Sequence, residues 1–506
     1  MNTTLAVIDI GSNSIRMVLG QLLPDGKAQV LERFRKAVRL GQDTFTKGKL
    51  GKEAIRTVVS ILREYQKTLK LYNVEHIRIV ATSAVREAGN AEILIDRVLT
   101  ATGLEIEIID VSEESRLTVL AVQSSLGNST GKISKNSLIT EVGGGHTTLT
   151  VLAKGEIVVS NSLYFGSIRL REALSSGTSA DSKLIRNELL RFLPSIESFM
   201  PLEKIQAFFA LGADARFAAQ EAGKSVKGSE LSTISKAKFY KLVDKIKSRT
   251  PEELSDLYNI EFTDAETLNV ALLVYQELLN YTKAEELTVS SSSMREELLQ
   301  DLARRITGKE DKTFAHGVIH SATAIAEKYK VDIEHSNRVR EVSVKLFDTL
   351  QNEHGLKFRH RVLLEAAALL HEVGTFISPR GYHKHSYYLI KNSEIFGLNQ
   401  TEVALVANIA RYHRRAQPKT SHLEYMSLSR EQRIIVNKLA SLLRIAEALD
   451  AGHNTNSVNM KCTVEKNNLI LSIPGMKDLV MKKRILPAES DMFEDIYGLN
   501  TKLEEI

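Results

Sequence analysis

Apolar positions recur along the chain in two rhythms, and the switch between them divides it. Leu5–Leu19 reads as an apolar strand, an acid (Asp9), a turn of Gly11, Ser12, Asn13 and Ser14, and a second apolar strand from Ile15. Ser137–Leu152 repeats the plan: a strand, an acid (Glu141), a turn at Gly143, Gly144, Gly145 and His146, then Thr147–Leu152. Such a duplication predicts two similar half-domains that bring both glycine-containing turns to one cleft. Between the copies, apolar spacing predicts helices over Glu53–Leu69, Ala91–Thr100 and Glu113–Leu126, with β-rich runs at His76–Ala81 and Glu105–Val111. The acidic first turn of the Glu113 helix suits the positive end of the helix dipole. The second half carries predicted helices at Ser182–Phe199 and Thr267–Tyr281 and a last one from Met294.

After Gly308 the alternation stops. From Ala315 to about Asp450 the sequence is almost wholly helical, rich in Ala and Leu at 3.6-residue spacing, and holds most of the histidines. The end of the chain then predicts two strands, Ser457–Val464 and Asn468–Ile473, joined by a turn at Lys466-Asn467-Asn468. The expected organisation is one α/β domain over residues 1–127, a second over 128–306, an all-α domain over 314–455 and a small α/β cap over 456–506.

Composition narrows the class. With 43% hydrophobic and 25% charged residues, few prolines and no tryptophan, the 506-residue chain is an ordinary folded, multi-domain protein. No apolar run reaches the roughly 18–20 residues that cross a bilayer, and Met1–Gly11 lacks both a basic start and a long apolar stretch, so no membrane partner and a cytoplasmic location are expected. Cys462 is the only cysteine, which excludes an intrachain disulfide and a thiolate metal cluster. The formal charge of +5 is a mild bias toward polyanionic ligands, equally compatible with a solvated surface slightly rich in lysine.

The candidate chemistry is phosphate chemistry. A strand that ends in a turn of small residues presents backbone N–H groups to phosphate oxygens, and Gly11–Ser14 and Gly143–Gly145 both fit, although either alone reads as a plain β-turn. The acid before each turn, Asp9 or Glu141, is a candidate ligand for Mg²⁺, since a carboxylate beside a phosphate usually meets it through a cation. A Walker P-loop is excluded: Gly223-Lys224-Ser225 has Ala218 where the first glycine must stand.

Four ordered motifs, DIGSNSIR (Asp9–Arg16), ATSAVREA (Ala81–Ala88), EESRL (Glu113–Leu117) and EVGGGHT (Glu141–Thr147), resemble the exopolyphosphatase/guanosine pentaphosphate phosphatase family, Ppx/GppA. LHEVGTFI (Leu370–Ile377), GYHKHSYYLIKNS (Gly381–Ser393) and RYHRR (Arg411–Arg415) extend the likeness to the longer members. The resemblance implies two actin-like, ribonuclease H-like α/β domains, then an all-α HD-like domain and the cap. It implies a phosphoanhydride hydrolase acting on inorganic polyphosphate or guanosine pentaphosphate, using Mg²⁺ (Mn²⁺ in its place), as a homodimer with no nucleic-acid partner. Residue by residue, it implies Glu114 as the base for the attacking water, and Arg86, Arg295 and Arg16 as phosphate ligands beside Gly11, Ser12, Asn13, Ser14, Gly143, Gly144, Gly145 and His146.

Three positions depart from the family pattern: Glu141 for the usual aspartate, His146 for Ser or Thr, and the run Ser290–Ser293. They leave open a catalytically weak polyphosphate or alarmone sensor. A sugar- or acetate-kinase-like ATPase shares the two-lobed cleft but lacks the EESRL glutamate and the linked helical domain. In that helical domain, His335, the His371–Glu372 pair and Asp450 follow the order of an HD site with Glu for the central Asp, a donor set suited to a divalent metal, with His383, His385 and His413 nearby. The other reading of the domain is structural or polyphosphate-holding. Lys384, Arg411, His413, Arg414, Arg415 and Lys419 could line a path for a long anion, or form a solvated helix end.

Overall fold

The duplicated strand–acid–turn–strand pattern folds as duplicated sheets. The computed structural model describes residues 3–126, 133, 135–174, 182–199, 201–308, 312–450, 459–474 and 479–505. It divides into two compact units, Met1–Asp311 and Lys312–Ile506.

In the first unit, β1 (Thr4–Ile10), β2 (Ser14–Leu22), β3 (Ala28–Ala37), β4 (His76–Ala81) and β5 (Glu107–Ile108) form a sheet in the order β3-β2-β1-β4-β5. The second sheet contains β6 (Ser137–Val142), β7 (Thr147–Ala153), β8 (Glu156–Leu163), β9 (Ala207–Leu211), β10 (Lys224–Ser225), β11 (Leu231–Ser235) and β12 (Glu286–Ser290), in the order β10-β11-β12-β9-β6-β7-β8. The run β8-β7-β6-β9-β12 thus repeats β3-β2-β1-β4-β5, with the same two antiparallel and two parallel pairings. This is the α/β pair that the repeat predicts. β1 is buried from Leu5 to Ile10 and apolar there apart from Asp9, because helices cover both its faces. β3, at the sheet edge, carries Glu32, Arg33, Arg35 and Lys36, charges that discourage pairing with another chain.

Two helices lock the halves together. Val111–Leu126, which ends the first half, packs on β6–β9 and β12 of the second sheet, and Met294–Thr307, which ends the second half, packs on β1, β2 and β3 of the first. Their meeting buries an ionic network. The Asp301 carboxylate accepts from Arg78 Nη1 at 2.9 Å and Arg116 Nη2 at 3.2 Å, while Arg78 also forks onto Glu107 and Arg116 onto Glu113. Every charge in it is partnered, the condition under which buried ions are tolerated. The predicted strand Glu105–Val111 shrinks to Glu107–Ile108, because the Asp110 side chain accepts from Glu113 N–H at 3.0 Å and starts the helix at Val111.

The second unit is helical from Lys312–Lys328 through Ile333–Thr349, Phe358–Leu370, Tyr382–Lys391 and Gln400–Arg411 to Arg430–Asp450. Phe358–Leu370 is its axis: every residue from Val362 to Leu370 is buried, as an all-round apolar helix must be. The chain ends in a sheet of β13 (Lys461–Glu465), β14 (Asn468–Ile473) and β15 (Asn500–Glu505), with the helix Leu479–Tyr497 making the crossover between parallel β14 and β15. Positions 457–458 of the predicted first strand lie outside the described residues. The turn is Lys466-Asn467 alone, since Asn468 already pairs with Glu465 and Lys466 takes the positive φ of 54° that closes the hairpin. Among the described residues no helix is long and apolar enough to cross a membrane.

Candidate active site

The two hairpin turns close in the same way. Gly11 N–H donates to Ser14 O at 3.0 Å and Gly143 N–H to His146 O at 2.8 Å. Register places Asp9 opposite Arg16 and Glu141 opposite Thr148, so the two acids are equivalent positions of the repeat. Glycine is required here by proximity. A Cβ on Gly144 would lie 2.8 Å from Ile168 Cδ1 and 3.0 Å from Ser12 Cβ, and one on Gly145 would lie 2.5 Å from Phe45 Cζ. The turns therefore meet across one cleft, where Ser12 Oγ also hydrogen-bonds Ser83 Oγ at 3.0 Å.

A second pair of turns borders the same cleft. β4 leads through Thr82 into the short helix Ser83–Arg86, and β9 leads through Gly212, at φ 102°, into Ala213–Ala222. Arg86 stands five residues beyond Ala81 and Arg216 five beyond Leu211, so Arg216 is the second half's counterpart of Arg86. Sequence reading missed Arg216 and its neighbour Asp214. The parallel between ATSAVR and LGADAR was the available signal.

Of the expected residues, Asp9, Gly11, Ser12, Asn13, Ser14, Arg16, Glu114, Glu141, Gly143, Gly144, His146 and Arg295 line the cleft. Gly145 and Arg86 stand back from it. Arg86 instead holds Glu114 through Nη1, which also donates to Ile109 O at 2.7 Å. Burial pushes the Glu114 carboxyl up to about 7; Arg86 opposes the shift, and Glu141 and Asp9 add to it. A carboxyl that titrates near neutrality and lines the cleft is suited to accept a proton from water.

The cationic wall is crowded. Burial, then the neighbouring Arg295, lowers Arg16 to about 10, and the same two causes lower Arg216, whose Nη1 is buried without a hydrogen-bond partner among the described residues. Arginines crowded on one wall, with a donor left unused among the described residues, form a site for an anion. His146 is held neutral: burial, Arg86 and Arg169 push it down to about 3. Its Nε2 lies 3.3 Å from Glu87 Oε1 without hydrogen-bond alignment, and both ring nitrogens lack a hydrogen-bond partner among the described residues. Asp214 is pushed up to about 7 by burial and the adjacent Asp264 carboxylate.

The acids fit a hard cation. Asp9 Oδ2 accepts from Arg295 Nη1 at 3.0 Å, but Oδ1 is buried with no partner among the described residues. Glu141 Oε2 accepts from Thr118 Oγ1 at 2.9 Å, a further contact that sequence reading missed. Oxygen donors of this kind are what Mg²⁺ binds. The serine run is structural: Ser290 ends β12 and hydrogen-bonds Ser125 Oγ at 2.7 Å, while Ser293 caps the helix that carries Arg295 in its first turn.

In the second unit, His335, His371 and Glu372 come together, but the other carboxylate beside them is Glu447. Asp450 lies farther out, bonded to His335 Nδ1 at 2.7 Å and to Arg338 Nε at 3.0 Å. His413 packs on the His371 ring at 4.9 Å, and half-buried His385 shares the helix Tyr382–Lys391 with His383. Lys384, Arg411, Arg414 and Arg415 surround His383, whose burial and cationic neighbours push it down to about 4. Arg411 is also paired with Glu424 at 3.0 Å, and Lys419 is exposed.

Comparison with known proteins places this geometry. Residues 23–306 match the Ppx/GppA phosphatase family and residues 319–490 match Ppx/GppA phosphatase, domain III. A guanosine-5'-triphosphate,3'-diphosphate pyrophosphatase of Photobacterium profundum is 24% identical over 485 residues, covering 93% of this chain and 91% of that protein. The protein of the same name from Aeromonas hydrophila subsp. hydrophila is 25% identical over 484 residues, covering 93% and 92%. The crystal structure of an exopolyphosphatase from Cytophaga hutchinsonii shares the fold, with a TM-score of 0.54 at 22% identity over 61% of this chain and 99% of that one. With duplicated sheets, paired glycine turns and family matches across both units, the chain belongs to the Ppx/GppA phosphatase family.

Proposed function

We propose that the first unit hydrolyses the terminal phosphoanhydride of inorganic polyphosphate or of guanosine pentaphosphate, with Glu114 as base. The observation that carries this reading is Glu114 itself, a buried carboxyl brought to about 7 and held by Arg86 at the edge of a cleft walled by arginines. As water attacks the terminal phosphorus, Glu114 takes its proton and the next phosphate leaves with the bridging oxygen. Arg16, Arg216, Arg295 and neutral His146 face the non-bridging oxygens, with the backbone N–H groups of the two turns. Asp9 and Glu141 would hold Mg²⁺ or Mn²⁺, which when bound supplies charge neutralisation on the phosphate oxygens.

The reading extends to a cytoplasmic homodimer whose helical unit is HD-like and whose cationic cluster around His383 binds a polyanion. Phosphate release from long-chain polyphosphate and from guanosine pentaphosphate, with Mg²⁺ and with EDTA, tests the proposal. Metal-dependent release supports a hydrolase, and the better substrate identifies its preference. Binding of both without release would make the protein a sensor.

A further inference from the structure

The helical unit contains a second donor cluster that the hydrolysis reading does not use. His335 in Ile333–Thr349, His371 and Glu372 at the end of Phe358–Leu370, and Glu447 in Arg430–Asp450 place four donor atoms within 4.8 Å of one another. His335 Nε2 lies 3.2 Å and His371 Nε2 3.1 Å from the same oxygen, Glu447 Oε2. Glu372 Oε2 approaches the same imidazole nitrogen of His335 at 3.9 Å.

What distinguishes this cluster from an ordinary ion pair is the far side of each ring. His335 Nδ1 is bonded to the Asp450 carboxylate at 2.7 Å, and His371 Nδ1 to the Ala368 carbonyl at 2.7 Å. Both acceptors hold a proton on Nδ1, so a cation displacing the Nε2 protons would meet inward-facing lone pairs, the tautomer that ligates a metal. Asp450 is in turn clamped by Arg338 at 3.0 and 3.1 Å, which fixes the ring it orients. Three helices separated by long stretches of sequence thus aim two pre-oriented imidazoles and two carboxylates at one point.

We infer that His335, His371, Glu372 and Glu447 bind a divalent transition-metal ion, with Asp450 and the Ala368 carbonyl as the groups that orient the two histidines. Mixed imidazole and carboxylate donors favour Zn²⁺ or Co²⁺ over Mg²⁺, which separates this site chemically from the all-oxygen acids of the cleft. His371 is fully buried, whereas the Glu372 and Glu447 side chains are each 23% exposed, so the ion keeps a solvent-facing side. A water or a phosphoryl oxygen can take that position. The inference does not depend on turnover in the cleft.

The test strips the full-length protein with EDTA and titrates it with Co²⁺, reading visible absorption and bound ion per chain. One Co²⁺ per chain with ligand-field bands is expected. Glu447→Gln should weaken binding by at least about tenfold, His371→Gln should abolish it, and Asp450→Asn should weaken it while leaving the ligands in place. Asp9→Asn should leave it unchanged. Should His371→Gln not fold, the Zn²⁺-dependent rise in Tm, present in the parent and reduced in Glu447→Gln, decides the matter. Failure to retain Co²⁺, or retention lost in Asp9→Asn and untouched in Glu447→Gln, would overturn the assignment and leave a cluster of protonated histidines paired with Glu447.

Discussion

Replacing Glu114 by Gln should lower phosphate release by about 10²–10⁴, the range for losing a positioned base, or roughly 3–5 kcal/mol of barrier. The change is nearly isosteric, and Arg86 can still donate to the amide oxygen and to Ile109 O, so the site should keep its shape. The pH dependence makes the test sharper. With burial holding the carboxyl at about 7, the parent's log kcat/KM should fall with unit slope below that pH, because protonated Glu114 cannot accept from water. A cation on Asp9 and Glu141 favours the ionised form, so added Mg²⁺ should move the limb to lower pH.

Stability must show the same proton. A carboxyl raised from 4.5 to about 7 by folding contributes stability that is fully present below 4.5 and lost as pH rises through 7. Without metal, Glu114→Gln should therefore gain on the parent between pH 5 and pH 8, by at most about 3 kcal/mol, read by urea denaturation. A variant within about fivefold of the parent at every pH would refute the base assignment. A parent whose metal-free stability shows Glu114 titrating at the ordinary carboxylate value would refute the burial argument.

Three further outcomes follow from other parts of the first unit. Arg216→Ala removes a buried guanidinium with an unused donor, and KM should rise about 10–100-fold while the Glu114 limb stays in place, measured by steady-state kinetics across pH. Gly166→Ala would put a Cβ 2.4 Å from Gly143 O and from Gly144 C, backbone atoms that cannot swing aside; denaturation should show a loss of about 3 kcal/mol or more, with reduced turnover. Asp301→Asn strips the shared partner from Arg78 and Arg116 and should destabilise by about 3–5 kcal/mol. Burial would raise Asp301 and Glu113, but their arginines win and hold both below the usual range. Their stabilisation is thus present above the ordinary carboxylate pKa and is lost as pH falls through the folded values, so the acid-side loss measured in the parent should be smaller in Asp301→Asn.

The hairpin turns were readable from sequence because each is a local event: strand, acid, small residues, strand, all within a few positions of one another. The duplication was readable for the same reason, and it foretold two similar half-domains, whose like strand order the fold then showed. Arg86 shows the limit. Its residue type suits phosphate, but it holds Glu114, a partner 28 positions away that no local pattern names. Glu447 and Asp450 show it again. Three residues apart, they share one face of a helix, and which carboxylate meets Nε2 of His335 and which meets Nδ1 depends on how that helix packs against Ile333–Thr349.

By itself, then, the sequence determined the elements, the repeat, the glycine turns and the residue types at the cleft, because these rest on interactions between near neighbours. Only the tertiary structure decided which groups meet. Asp9 and Arg295 stand 286 positions apart and are joined at 3.0 Å because the helix that ends the second half packs back on the first sheet. The Glu114 pKa, the crowding of the arginines and the convergence of two imidazoles on Glu447 all follow from burial and distances of that kind, which arise only when surfaces remote in sequence exclude water together.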